Sequence, residues 1–308
     1  MGRFVLQRLG HLVWVLLAVS VLVFLLIYLG GDPVRLLTPL DAKPEDVERV
    51  RRLYGLDQPL AVQYLRFVTR AARGDLGESF RFQRPAFELV WQRLPATALL
   101  AAVTIGLTMA VGVPLGVWAG ARPGGLVDWV VSLTTFLGIS LPSFWLGVLL
   151  ILLFADRLRL FPASGFDGWT SLALPGLTLA VYTTGLISRL VRADIQEALK
   201  QDFIRTARAK GVAERTVLVR HALRNSLIST VTVLGLQLGT LLGGSVVVET
   251  VFAWPGVGWL MLQGIQTRDL PVVRAVVLVV GTLFVLINLI VDLLYLWLDP
   301  RIRYDHGR

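Results

Sequence analysis

PATALLAAVTIGLTMAVGVPLGVWA, residues 95–119, runs for 25 residues without one Asp, Glu, Lys, Arg or His. A helix rises about 1.5 Å per residue, so roughly 20 apolar residues cross the ~30 Å hydrocarbon core of a bilayer. This stretch is long enough to span, and it is not alone. Residues 11–29, 129–154, 172–190, 227–251 and 275–298 are also predominantly apolar. The six stretches predict an all-α integral membrane protein with six transmembrane helices. Residues 11–29 exceed a signal-peptide core, and no small-residue cleavage pattern precedes Gly30-Gly31-Asp32, so they read as a retained helix.

Composition agrees with lipid as the solvent. Of 308 residues 55% are hydrophobic and only 17% charged, with a mean hydropathy of +0.68. Soluble domains are about half apolar and about a quarter charged. Cysteine is absent, which excludes disulfides, zinc–thiolate sites and iron–sulfur clusters. No lysine follows a glycine, so the G-x-x-x-x-G-K-[ST] phosphate loop is absent as well. If ATP drives this protein, another chain binds it.

The net charge of +9 is read by position rather than as a sign of nucleic acid. Segments on the N-terminal side of the membrane hold 15 Lys and Arg, and those on the other side also hold 15. Long segments cross largely regardless of charge. Setting aside residues 30–94, which hold 11, leaves 15 against 4 and predicts cytoplasmic termini. Segment 30–94 is then extracytoplasmic. Pro44-Glu45-Asp46 suits a helix start and Gly55 its end, while Pro59 and Gly74 bracket a second helix. This small helical cap reads equally as a spacer or a partner-docking surface.

Within the spans, Gly112, Gly116 and Gly120 recur every fourth residue, as do Gly235, Gly239 and Gly243. Such faces let helices approach closely. They fit packing inside this chain, or, for the second row, contact with a partner subunit across a pore. Pro114 and Pro142 are expected to kink their helices. Ionisable residues inside spans are few: Glu249 near the outer end of the fifth and Asp292 in the inner half of the sixth. The segment from Glu249 to Gly258 also offers Phe252, Trp254, Pro255 and Gly256 as candidates for the pathway or its outer gate. The polar interior residues, such as Thr134, Thr135, Ser140, Thr184, Gln237 and Asn288, suit a wet, weakly charged pathway.

Residues 189–226 are long, basic and helical in pattern. Ile195, Leu199, Phe203 and Ala207 recur at i+4 as an apolar stripe, with Arg205, Arg208 and Lys210 off it. Gly211 suits a left-handed C′ position, and Val217, Leu218, His221 and Ala222 share one side of a following helix. Helix, glycine turn and helix make a rigid knob. Periodicity by itself also fits a basic amphipathic loop lying on lipid.

Arg205-Thr206-Ala207-Arg208-Ala209-Lys210-Gly211, followed by Arg220-His221-Ala222-Leu223-Arg224-Asn225, resembles the coupling-helix loop of binding-protein-dependent ABC importer permeases. The dipeptide/oligopeptide/nickel subfamily is matched in particular. Gly31-Asp32-Pro33-Val34, Gly74-Asp75-Leu76-Gly77, Arg93-Leu94-Pro95-Ala96-Thr97, Leu141-Pro142-Ser143-Phe144-Trp145-Leu146-Gly147, Val248-Glu249-Thr250-Val251-Phe252, Pro255-Gly256-Val257-Gly258 and Leu298-Asp299-Pro300-Arg301 are also typical of it. The long outer segment resembles the first of the two permease subunits. Two departures stand out: the superfamily's Glu-Ala-Ala opening is Arg205-Thr206-Ala207 here, and its later proline has no counterpart at Arg224.

The resemblance implies a type I importer permease fold in a bacterial or archaeal inner membrane. An N-terminal part, 1–94, would precede a permease domain at 95–308. Expected partners are a second homologous permease subunit, one or two P-loop ATPase subunits, an extracytoplasmic binding protein and membrane lipid, with no nucleic acid. The chain itself would hold no metal or cofactor, and ATP and Mg would sit on the ATPase. Arg205, Arg208 and Lys210 would bond to that subunit, with Thr206, Ala207 and Ala209 allowing close approach. Gly211 would fix the turn, and Glu214 and Arg215 complete the loop. Residues 249–258 and parts of 30–94 would receive the binding protein. Peptides are the leading substrate, with nickel chelates, glutathione and oligosaccharides as alternatives.

Two other classes compete. An intramembrane hydrolase could use Ser164, but His11, His221 and His306 are all predicted on or near the other side of the membrane. A secondary carrier would show a coupling-ion site and would not need the glycine-hinged knob.

Overall fold

The computed structural model describes residues 2–29, 34, 38, 43–53 and 55–298. Gly31-Asp32-Pro33 and Asp299-Pro300-Arg301, two of the motif stretches above, fall wholly or partly outside them. Among the described residues no strand forms beyond an isolated bridge between Glu78 and Pro85, and helices dominate. The helices are α1 (Gly2–Leu29), α2 (Pro44–Leu53), α3 (Leu60–Ala71), α4 (Ala86–Ala121), α5 (Leu126–Ser140), α6 (Ser143–Leu150), α7 (Ala173–Ala198), α8 (Asp202–Ala209), α9 (Leu223–Gly244), α10 (Val246–Val251), α11 (Val257–Gln266) and α12 (Leu270–Leu298).

Among the described residues three helices are long and apolar enough to cross a membrane by themselves: Ala86–Ala121, Trp169–Ala198 and Leu270–Leu294. Shorter apolar stretches, Leu12–Leu25 and Ser229–Leu242, lie within α1 and α9. The expected span at 129–154 is corrected: it is not one helix but α5 and α6, bent by 107° across Leu141-Pro142. Pro142 lacks an N–H and its ring forces the preceding residue out of the helical region. Leu141 accordingly sits at φ −90°, ψ 125°. Pro114 acts more gently. The helix passes it through a π-helical turn, Thr108–Gly112, which ends just before the proline and leaves α4 continuous.

The chain packs as two compact units, Met1–Pro95 with Gly256–Val285, and Ala96–Pro255 with Leu286–Arg308.

In the first unit α2 and α3 form as their sequence signals predict. Glu45 and Asp46 occupy the first turn of α2, and Gly55 follows it at φ +65°. Pro59 precedes α3, and Gly74 lies beyond its end at φ +81°. The Tyr64 hydroxyl bonds Ser20 of α1 at 2.8 Å, and its ring meets Phe24 edge-on. Leu76, Ala86, Leu89, Val90, Val257, Leu260, Val272, Ala275 and Val276 make the core. Buried Asp269 fastens the turn at 79–84: it accepts from the Ser79 hydroxyl (2.5 Å) and from the Phe80 and Arg81 amides (3.3 and 3.2 Å).

In the second unit α7 is the central helix, packed by α4, α5, α6, α9 and α10. The first glycine row explains the closest of these approaches. A methyl group added at Gly116 would lie 2.7 Å from the Ser188 carbonyl oxygen, and one at Gly120 2.8 Å from that of Arg192. At Gly112 the Thr184 carbonyl would be 3.3 Å away. This row is therefore packing within the chain. In the second row Gly235 meets Val291 of α12, and Gly239 is buried. Gly138 and Gly185, which the fourfold spacing did not pick out, seat α5 against α7. Methyl groups there would come within 3.2 Å of Tyr182 Cα and 2.8 Å of Thr135 Cα.

Candidate functional site

The knob begins where α7 ends. Leu199 and Lys200 close that helix, Gln201 turns extended, and α8 restarts at Asp202. The restart shifts the helical phase, which corrects the expected apolar stripe. Ile195 and Ala207 are buried as expected, but Phe203 is 45% exposed and Ile204 takes the inward position. Ile187, Val191, Ile195, Ala198, Ile204, Ala207, Val217, Ala222 and Leu234 form one continuous core running from α7 through the knob into α9. Val217 and Ala222 face inward with Leu218 and His221 half-buried, as the pattern predicts.

α8 ends in a Schellman motif. The Gly211 N–H donates to the Arg208 carbonyl at 2.9 Å and the Val212 N–H to the Ala207 carbonyl at 3.2 Å. This closure needs a left-handed residue at C′. Gly211 supplies it at φ +73°. Across the turn Arg208 and Glu214 pair through two bonds, Nη2–Oε1 at 2.6 Å and Nε–Oε2 at 3.1 Å. The guanidinium holds the Glu214 carboxyl below its ordinary range, and the carboxylate raises the Arg208 side chain above its own. Both groups are exposed, so the pair orders the turn more than it adds stability. Around it Arg205, Thr206, Ala209, Lys210, Gly211 and Arg215 face outward.

Ala207 requires a correction. It was expected to let a partner come close, yet it is buried against the knob's own core. Its small size fits α8 onto that core, while Thr206 and Ala209 carry the outward small surface.

The outer candidates have gone the other way. Glu249 is fully buried and accepts at Oε1 from the Thr97 hydroxyl (2.8 Å) and the Ser245 hydroxyl (2.7 Å). Trp254 is also fully buried and donates Nε1–H to the Ala96 carbonyl at 3.0 Å, with Phe166 edge-on to its ring. Phe252 packs with Leu174 and Val248, and its carbonyl accepts from the Gly165 amide at 2.9 Å. These three side chains are interior to the fold. Pro255 is half-buried, while Gly256 and Gly258 are buried where α11 begins. Among the described residues no cluster of His, Asp or Glu could hold a metal ion.

The sequence reading missed three polar ties. Asp128 of α5 pairs with Arg192 of α7 at 2.5 Å (Nε–Oδ1) and 3.0 Å (Nη2–Oδ2), and also accepts from the Gly124 amide at 2.8 Å. The Ser229 hydroxyl of α9 donates to Asp194 of α7. The third is Ser79 with Asp269. Partners 64, 35 and 190 residues apart leave no spacing signal to read.

Comparison with known proteins bears on this geometry. Residues 112–304 match the family described as binding-protein-dependent transport system inner membrane component, and residues 1–101 match the N-terminal family of such membrane components. A putative peptide transport system permease protein of Brucella abortus is 43% identical over 314 residues, covering 99% of this chain and all of that one. The glutathione transport system permease protein GsiC of Salmonella paratyphi A is 43% identical over 311 residues, with the same coverage. Among solved structures, an inward-facing form of the MetNI methionine ABC transporter aligns with a TM-score of 0.56 at 22% identity, over 68% of this chain and 96% of that one. At that identity the likeness bears on the fold alone.

Proposed function

Because the chain belongs to the family of binding-protein-dependent transport system inner membrane components, as the permease subunit of an ABC importer, we propose that it forms half of a peptide pathway and takes its drive from a separate ATPase through the 202–216 knob. The observation that carries this reading is the knob itself. A Schellman-closed helix and a paired Arg208–Glu214 hold a basic, small-residue face outward, while the underside is continuous with the core of α7 and α9. A face that rigid transmits movement; a flexible linker would absorb it.

A second, homologous permease subunit completes the pathway, one or two P-loop ATPase subunits bind nucleotide, and an extracytoplasmic binding protein delivers substrate. Both termini are cytoplasmic in an inner membrane, as the basic short segments favour. With Glu249, Phe252 and Trp254 interior, the exposed parts of 43–94 are the better candidates to receive the binding protein. Peptide as substrate is supported by relatives named for peptide and glutathione transport, since glutathione is itself a tripeptide.

The test is to purify the tagged chain from its own cells in mild detergent and identify what accompanies it. A second six-span permease with P-loop ATPase chains is the expected result. A chain recovered alone, under conditions that keep a known ABC complex intact, removes the reading and favours a secondary carrier. Uptake of labelled di- and tripeptides, glutathione and an oligosaccharide by cells with and without the gene then separates the substrates. Gly211→Pro should leave the protein in the membrane and abolish ATP-driven uptake.

A further inference from the structure

Arg192 and Asp194 lie two residues apart near the knob end of α7, and each reaches sideways to a different helix. Arg192 donates from Nη2 to Asp128 Oδ2 at the start of α5, at 3.0 Å, while its Nε lies in ionic contact with Oδ1. Asp128 is almost buried and its second oxygen is further fixed by the Gly124 amide, so the 122–125 turn is drawn into the same tie. Asp194 takes the Ser229 hydroxyl of α9. Just before these residues, Gly116 and Gly120 bring α4 into backbone contact with the Ser188 and Arg192 carbonyls. Just after them come Ala198 and the restart at Asp202 that opens the knob.

The apolar core joins α7, the knob and α9, but it contains no residue of α5. Further along, small and polar groups take part in the contact between α5 and α7. The Thr135 hydroxyl donates to the Gly185 carbonyl at 2.8 Å, and Gly138 lies against Tyr182. Near the knob, the charged pair is the directional link. Arg is suited to it, because its planar guanidinium holds its N–H donors in a fixed plane, whereas a lysine is a point charge on a flexible stem.

We propose that Asp128 and Arg192 are positioning residues for energy coupling: they tie α5 to the knob, so that α4, α5 and α7 move with it as one body. The proposal rests on the coupling role of the knob given above. It predicts that the Asp128–Arg192 pair stays closed through the transport cycle, unlike a gate, which must open.

The absence of cysteine makes the measurement clean. Cysteines placed at two exposed positions, Leu126 at the start of α5 and Gln201 beside the knob, are spin-labelled in the complete complex purified from its own cells. Their separation is measured without nucleotide and after trapping with ATP and vanadate. The expected result is the same separation in both states for the otherwise native chain. In Asp128→Asn it should change between states by about 2 Å or more, the size of helix shifts at moving interfaces. Should that variant fail to assemble, Arg192→Lys keeps the cation but loses the planar guanidinium and its Nη2 donor, and should give a smaller change. ATP-driven uptake should fall in step with the loosened distance, by about fivefold or more in Asp128→Asn, the low end of coupling between linked sites.

A state-dependent distance in the native pair overturns the proposal, because the tie then behaves as a gate. An unchanged distance in Asp128→Asn overturns it too, because the tie is then dispensable. Uptake that survives Gly211→Pro sinks the coupling role of the knob and leaves the distance result standing, so the two failures are told apart.

Discussion

The knob at 202–216 and the segment at 245–255 use similar materials in opposite senses. Each has a glutamate, a short helix and a left-handed turn. In the knob, Glu214 and Arg208 face outward and apolar residues lie beneath. In the 245–255 segment, Glu249 points inward to two hydroxyls, and Phe252 and Trp254 are buried with it. The turns differ as well. Gly211 adopts φ +73° without strain, whereas Ala253 is held at φ +46°, where a Cβ crowds the backbone. An acidic residue inside a span is thus not by itself a mark of the pathway. A buried carboxylate with its hydroxyl partners organises the fold, and an exposed pair on a rigid turn is available to a partner.

The largest expected effect lies in the 245–255 segment. Trp254→Ala removes a buried ring and its bond to Ala96, and should cost about 3–5 kcal/mol, read as a lowered unfolding midpoint in detergent. Glu249→Ala leaves Thr97 and Ser245 without this acceptor and should cost about 1–3 kcal/mol, while Glu249→Gln, which keeps an acceptor oxygen, should cost less. If Glu249→Ala is neutral in stability but abolishes uptake, the contrast between the two segments breaks, and Glu249 belongs to the pathway.

The two turns should answer in opposite directions. Gly211→Ala is expected to destabilise by about 1 kcal/mol and Ala253→Gly to stabilise by up to about 1 kcal/mol, since only the first forces a Cβ into the left-handed region. A methyl group at Gly211 would meet no neighbour, so the backbone is the whole cause there. The same melting experiment reads both.

The smallest effect concerns pH. Glu214 is lowered from its ordinary value of 4.5, so its contribution is present above that value and fades as pH falls through the lowered one. Arg208 is raised above its ordinary, already strongly basic value, so its half of the pair persists through neutral and moderately alkaline pH and is lost only beyond it. Hydrogen-exchange protection of the Val212 amide should therefore be flat between about pH 6 and 9 and weaken only in acid. Protection that drops near neutrality would point to another titrating group holding the turn.

Much of the fold could be read directly. Apolar runs of sufficient length marked the spans, and proline and glycine bracketed α2 and α3, because these signals are local and each residue acts on its own backbone. Gly211 was legible for the same reason. Pro142 was read as a kink and proved to be a break, since with Leu141 extended the helix has to start afresh at Ser143. The inward stripe of the knob failed at Phe203, because a period counted across residues 199–203 assumes one continuous helix and the chain restarts at Asp202. The candidate site divided accordingly. The outward residues of α8 are where the motif puts them, while Ala207, Glu249, Phe252 and Trp254 are interior.

The sequence by itself determined that this chain crosses a membrane with helices, which short loops are basic, where the knob turns, and that no nucleotide loop of the G-x-x-x-x-G-K-[ST] type is present. These properties are sums over neighbouring residues: length, apolarity, charge and backbone preference. Which polar groups meet was decided only by the tertiary structure. Asp128 with Arg192, Asp194 with Ser229, Glu249 with Thr97, and Ser79 with Asp269 join positions between 35 and 190 residues apart. A hydrogen bond requires its atoms within about 3 Å. Only the packing of whole helices brings such distant residues that close.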